Sequence, residues 1–191
     1  MKRFTALMRH SYQTVLLMCK TKNNTYHFKR KLVMALLGIV LVVLGVSNFS
    51  STAGLVFVMV GCFMFTSLEM PARSEADDVK KALGGKYPQN KYEFFDKHFV
   101  LYASMQDIIN YSRIVKLVED NQYCYLYIEK EASYMLEKFS LGNELNEFKA
   151  FMSKATGLQW QQPYSFATFN LKAMMRLFKG DGKAAGKGKK K

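Results

Sequence analysis

Hydrophobic and polar positions divide the chain into three regimes. Near the start, Phe4, Leu7, Met8, Ser11, Tyr12, Val15, Leu16 and Cys19 recur at spacings of three and four, with Arg3, Arg9 and Lys20 mainly elsewhere. That spacing predicts an amphipathic basic helix, stopping near Asn23-Asn24. From Leu32 to Leu68 no residue carries a charge, and Leu, Val, Met, Phe and Gly dominate. A straight helix over that stretch would be about 55 Å long, against roughly 30 Å for the hydrocarbon core of a bilayer. The chain is therefore expected to turn back. Its only polar cluster there is Ser47-Asn48-Phe49-Ser50-Ser51-Thr52, which predicts a tight turn between two spans, 32–47 and 53–68. Each gives about 24 Å of helix, which snorkelling of Lys31 and inclusion of turn residues would extend.

After Met70 the pattern shortens. Ser74-Glu75-Ala76-Asp77 resembles a capping box and predicts a helix from about Glu75 to Leu83, ended by Gly84-Gly85, with Tyr87-Pro88-Gln89-Asn90 as a linker. From Lys91 a period of two predicts strands at 92–95, 99–103 and 109–118. Tyr123, Tyr125 and Tyr127 alternate with Cys124, Leu126 and Ile128, so the tyrosines share one sheet face and the other set is the expected core face. A strand at 132–136 and residues 139–141 lead to Asn143, the expected N-cap of a helix carrying Leu145, Phe148, Met152 and Ala155 on one stripe and ending at Gly157. Phe166, Phe169, Met174, Leu177 and Phe178 give a weaker helical pattern among Lys172, Arg176 and Lys179.

The expected class is thus an α+β membrane protein: a two-helix transmembrane hairpin followed by a cytoplasmic antiparallel β-sheet domain capped by a C-terminal helix. Its expected order is a basic amphipathic segment 1–31, the hairpin 32–68, a juxtamembrane helix and linker 69–90 and a sheet-plus-helix domain 91–157. A basic amphipathic segment 158–179 and a disordered Gly/Lys tail 180–191 complete it.

Charge orients this arrangement. The chain has 28 Lys plus Arg against 15 Asp plus Glu, a net +13, and the excess lies near the termini. Basic residues precede the first span, none lies in the turn, and Arg73, Lys80 and Lys81 follow the second, so both termini are expected in the cytoplasm of a bacterial-type cell. Lys29, Arg30 and Lys31 mark the membrane interface. The N-terminal amphipathic helix would lie on the leaflet or pack on the soluble domain, since both bury the same face. For the C-terminal lysines, anionic lipid headgroups are the favoured partner. Nucleic acid is the competing, less favoured one, and a solvated tail without a specific partner is the plain reading. Two other accounts of the apolar stretch are a buried helix pair in a soluble protein, which would need polar outer faces, and a signal peptide cleaved near Ser51-Thr52-Ala53.

Within the spans, Gly38 and Gly45 are on one stripe, as are Gly54 and Gly61. Small residues let helix backbones approach closely in lipid; packing within the hairpin is the simpler use, and a homo-oligomer face the alternative. Candidate chemistry is sparse. Cys19, Cys62 and Cys124 fall in separate predicted elements, and His10, His27 and His98 are scattered singly, so no disulfide, zinc or catalytic set is expected. No nucleophile elbow, Walker loop or dinucleotide fingerprint occurs, and no enzyme activity or cofactor is expected.

Tyr111-Ser112-Arg113-Ile114-Val115-Lys116-Leu117-Val118-Glu119, the tyrosine-rich strand, Met135-Leu136-Glu137-Lys138-Phe139 and the terminal helix resemble the YcxB-like family of small bacterial membrane proteins. So does their order after a basic-flanked hairpin. The resemblance covers residues 28–157 by arrangement and is sharpest over 111–157, although Glu137 stands where the family often has proline. It implies an inner-membrane location and a cytoplasmic region similar to a pleckstrin-homology-like fold, without a ligand. The role expected is an interaction or regulatory module with an unidentified protein partner. A subunit of an oligomeric transporter or channel is the alternative, followed by a membrane-bound enzyme of unknown chemistry.

Overall fold

The computed structural model describes residues 2–103, 105–128 and 132–166. It is α+β: long helices near the N-terminus, one of them an apolar span candidate, then two β-sheets and a C-terminal helix. The chain forms two compact units, one made of residues 1–11 together with 87–191 and the other of residues 12–86.

The helical unit contains α1 (Tyr12–Ser47), α2 (Thr52–Ser67) and α3 (Met70–Ala82). The predicted turn is present. Asn48 and Ser51 organise it: the Ser51 hydroxyl accepts from the Gly54 backbone N–H at 3.0 Å and donates to the Asn48 carbonyl at 2.9 Å, capping α2. Asn23-Asn24 does not end the first helix. Asn24 accepts a hydrogen bond from the Lys31 ammonium, and α1 continues, bent at His27, whose φ of −120° and ψ of 15° break the helical run. α3 starts earlier than the capping-box pattern predicts, at Met70, because Pro71 in the first turn has no N–H to lose there. It stops at Gly84 and Gly85, whose φ values of 56° and 75° suit glycine.

In the sheet unit, β1 (Phe4–Arg9) replaces the first part of the expected N-terminal helix, which is helical only from Tyr12. Phe4, Ala6 and Met8 alternate with Thr5, Leu7 and Arg9 and are buried, and the strand pairs antiparallel with β2 (Gln89–Phe94), Phe4 opposite Phe94 and Arg9 opposite Gln89. Six residues satisfy both periods, and the available partner decides between them. β3 (His98–Tyr102) and β4 (Gln106–Asn110) complete a four-stranded sheet of order β1-β2-β3-β4.

The strand expected over 109–118 is broken. Tyr111–Arg113 form a 3-10 turn at the corner where the chain leaves the first sheet, held by the buried Tyr111 hydroxyl donating to the Phe95 carbonyl at 2.7 Å. The second sheet has the order β7-β6-β5-β8, from β5 (Ile114–Glu119), β6 (Tyr123–Ile128), β7 (Ala132–Glu137) and β8 (Trp160–Gln161). β8 runs parallel to β5, so the expected basic amphipathic segment 158–179 opens with a short strand; its helical pattern begins at Phe166, and residues 167–191 lie outside the described residues. β6 is an inner strand buried on both faces, so the tyrosine row is not a solvent face: Tyr125 and Tyr127 are as buried as Cys124 and Leu126.

A 3-10 segment, Lys138–Glu144, runs directly into α4 (Leu145–Thr156), and Glu144 rather than Asn143 takes the cap position. α4 buries Phe148 and Met152 and ends at Gly157 in the left-handed conformation. Phe148 packs edge-on to Phe94 at 4.8 Å and Phe4 at 5.6 Å, so α4 closes the aromatic core of this unit.

Candidate functional site

The helical unit carries the feature with the clearest physical demand. α1 and α2 are apolar from Leu32 to Ser67, yet large side chains there point outward: Val43 is 58% exposed, Met59 71% and Phe63 64%. α1 is long and apolar enough to cross a membrane, and α2 with α3, bent by 44°, passes the same test as a pair, giving one or up to two spans by length and composition.

What is buried between α1 and α2 is glycine. A Cβ on Gly45 would lie 2.6 Å from the Gly54 carbonyl oxygen, one on Gly61 would lie 2.9 Å from the Gly38 carbonyl oxygen, and one on Gly54 would collide with the Asn48 carbonyl. The two glycine stripes therefore face each other, Gly38 beside Gly61 and Gly45 beside Gly54. Close backbone approach takes the place of the side-chain interdigitation that drives helix packing in water.

Before the apolar half, α1 is joined instead to α3 and to Glu69 just ahead of it, by polar contacts. Lys20 pairs with Glu69 at 2.6 Å, Lys22 with Glu75 at 2.6 Å, the Tyr12 hydroxyl donates to Asp77 at 2.9 Å, and Lys80 lies over the Tyr12 ring at 5.5 Å. The hydrogen bond from Lys20 holds the Glu69 carboxyl below the usual range, against the opposing effect of burial. Ala72 and Ala76 provide the close contact on α3. α1, bent at His27, thus joins an uncharged half to a half laced by ion pairs.

Of the three residues expected at the boundary, Lys29 and Arg30 are exposed. Lys31 is not: it is 6% exposed and its ammonium donates to Asn24 at 2.7 Å, so it turns away from the surface where snorkelling would place it. Sequence reading missed the paired half because Glu75 and Asp77 were assigned to a local capping box and Glu69 only marked the end of the uncharged stretch; their partners Lys22, Tyr12 and Lys20 lie far back in the chain.

In the sheet unit two acidic side chains are each held by more than one donor. Glu119 accepts from Lys138 and Lys149, each at 2.6 Å. Burial pushes its carboxyl up, but the two hydrogen bonds and the lysine charges outweigh that and hold it below the ordinary value. Asp120 caps the β5–β6 turn by accepting from the Gln122 and Tyr123 N–H groups at 2.8 Å, and the Tyr125 hydroxyl at 2.6 Å. Burial pushes the Cys124 thiol up to about 12 and the Cys19 thiol to about 11, far from thiolate chemistry at neutral pH. Among the described residues no group of three His, Cys, Asp or Glu side chains is placed to hold a metal ion.

No family model matches the chain, and no curated protein matches it. A solved chain of the Spt16D Pob3N heterodimer is similar at 9% identity and a TM-score of 0.33, over 44% of this chain and 51% of that one. The chain thus spans about half the length of the solved chain it matches.

Proposed function

We propose that this protein is a small integral membrane protein whose helical hairpin anchors a cytoplasmic sheet domain, serving as an interaction or regulatory module beside the bilayer. The observation that carries the reading is that β1, before the hairpin, pairs along its whole length with β2, after it. A single span would put these two strands on opposite sides of a membrane, whereas a double span returns the chain to the side it left. The same pairing argues against cleavage near Ser51-Thr52-Ala53, which would remove a strand from the sheet. The basic flanks favour the cytoplasmic side of a bacterial inner membrane, with Lys29 and Arg30 toward anionic headgroups. The resemblance to the YcxB-like family points the same way.

The glycine stripes face one another inside the hairpin, leaving the oligomeric transporter reading without a supporting contact. The test is a pair of topology reporters, one inserted after Asn48 and one fused to Lys191, combined with alkaline extraction of membranes. The expected result is a chain retained in the pellet with a cytoplasmic C-terminal reporter and an external reporter in the turn. A chain in the supernatant, or reporters on the same side, overturns the proposal. Proximity crosslinking of the anchored chain would then identify the protein partner of the sheet domain.

A further inference from the structure

The two ends of the first sheet are finished differently. At β1, the Leu7 backbone N–H donates to the Ser140 hydroxyl at 3.1 Å, so the outer edge is engaged. At the other end β4 has β3 as its sheet partner and, among the described residues, no strand beyond it. Two bonds fix which of its backbone groups face β3: Tyr111 N–H donates to the Lys97 carbonyl at 3.3 Å, and the Met105 carbonyl accepts from Ala103 at 3.2 Å. Hydrogen-bonding direction alternates along an antiparallel strand, so Asp107 and Ile109 also face β3 while Gln106, Ile108 and Asn110 direct their N–H groups outward. Natural edges are blunted by lysine, proline, bulges or inward charges. β4 has the sequence Gln-Asp-Ile-Ile-Asn, with one charge, and Ile108 is 62% exposed.

We infer that β4 is a dimerisation edge, taking β4 of a second copy in antiparallel register about a two-fold axis at Ile108. The strand is its own complement in that register. Ile108 exchanges both backbone bonds with the second copy's Ile108, and Asn110 presents its N–H to the carbonyl of the second copy's Gln106. On the exposed face amide meets amide and isoleucine meets isoleucine, while Asp107 falls opposite the second copy's Ile109, so the single charge on each strand does not oppose its equal. A register moved by one residue would turn these outward groups away from one another, and one moved by two toward the N-terminus would set the Asp107 carboxylates face to face. The inference is independent of the bilayer reading, since every group it uses lies in the sheet unit.

The test uses the full chain in mild detergent, with native mass spectrometry and a Cys62→Ser, Ile108→Cys variant treated with a short bifunctional thiol reagent. Expected are a dimer, a crosslink at position 108 absent from Cys62→Ser alone, and a dissociation constant raised about tenfold or more by Ile108→Lys, which sets two ammonium groups across the axis. Ile108→Pro, which deletes the outward N–H, should do the same, and circular dichroism of both variants checks that they fold. A monomer throughout the accessible concentrations, or a dimer that neither crosslinks at 108 nor weakens with folded Ile108→Lys, overturns the inference.

Discussion

At the scale of single residues the glycines are the sharpest test of the hairpin. Gly45→Ala and Gly54→Ala put a methyl group 2.6 Å and 2.0 Å from backbone oxygens that side-chain rotation cannot move aside, whereas Gly38→Ala meets the Phe65 ring at 3.2 Å and the Gly61 carbonyl oxygen at 3.3 Å, a tight but smaller misfit. The first two should each destabilise the helical unit by about 1–3 kcal/mol and the third by less, read from denaturation in detergent. Glu119 gives a pH signature instead. Its folded carboxyl titrates below its unfolded value because of Lys138 and Lys149, so its stabilisation is complete above the ordinary carboxylate range and is lost as pH falls through the lowered one. Glu119→Gln should flatten the acid limb of the stability profile of the sheet unit, followed by near-ultraviolet circular dichroism.

At the scale of elements, β1 is the piece on which the sheet unit depends. Ala6 is fully buried, and Ala6→Asp would place a carboxylate in that core. A loss of about 3 kcal/mol or more is expected, seen as rapid proteolysis of the sheet unit while the chain remains in the membrane pellet. This strand also shows where sequence reading stops. Phe4, Leu7 and Met8 suit a helix and Phe4, Ala6 and Met8 suit a strand; the partner that decides lies beyond the hairpin. The two apolar helices and their turn were legible because no local alternative competes with an uncharged run interrupted by a single polar cluster. Tyr125 and Tyr127 were misread because alternation reports two faces without saying that both are covered. The ion pairs of Lys20 and Lys22 were invisible for the same reason as β1: their partners are distant in sequence.

For the whole molecule, the hairpin is an insertion between two adjacent strands. Arg9 sits opposite Gln89, the geometry of an ordinary two-residue hairpin turn. Replacing residues 10–88 with an Asn-Gly turn should therefore yield a folded sheet domain that stays in the supernatant after ultracentrifugation. Retained aromatic near-ultraviolet signal and cooperative unfolding would mark success, and an aggregated or unstructured product would show that the helical unit is needed for the sheet to form.

The same insertion sets a timetable for biosynthesis. β1 leaves the ribosome before the helical segment and has no β2 to join until that whole segment has followed it, so its pairing is among the slowest contacts to form. On the membrane reading proposed above, delivery to the translocation machinery would precede closure of the domain, and a nascent chain at that stage would present a lone, unpaired strand to chaperones.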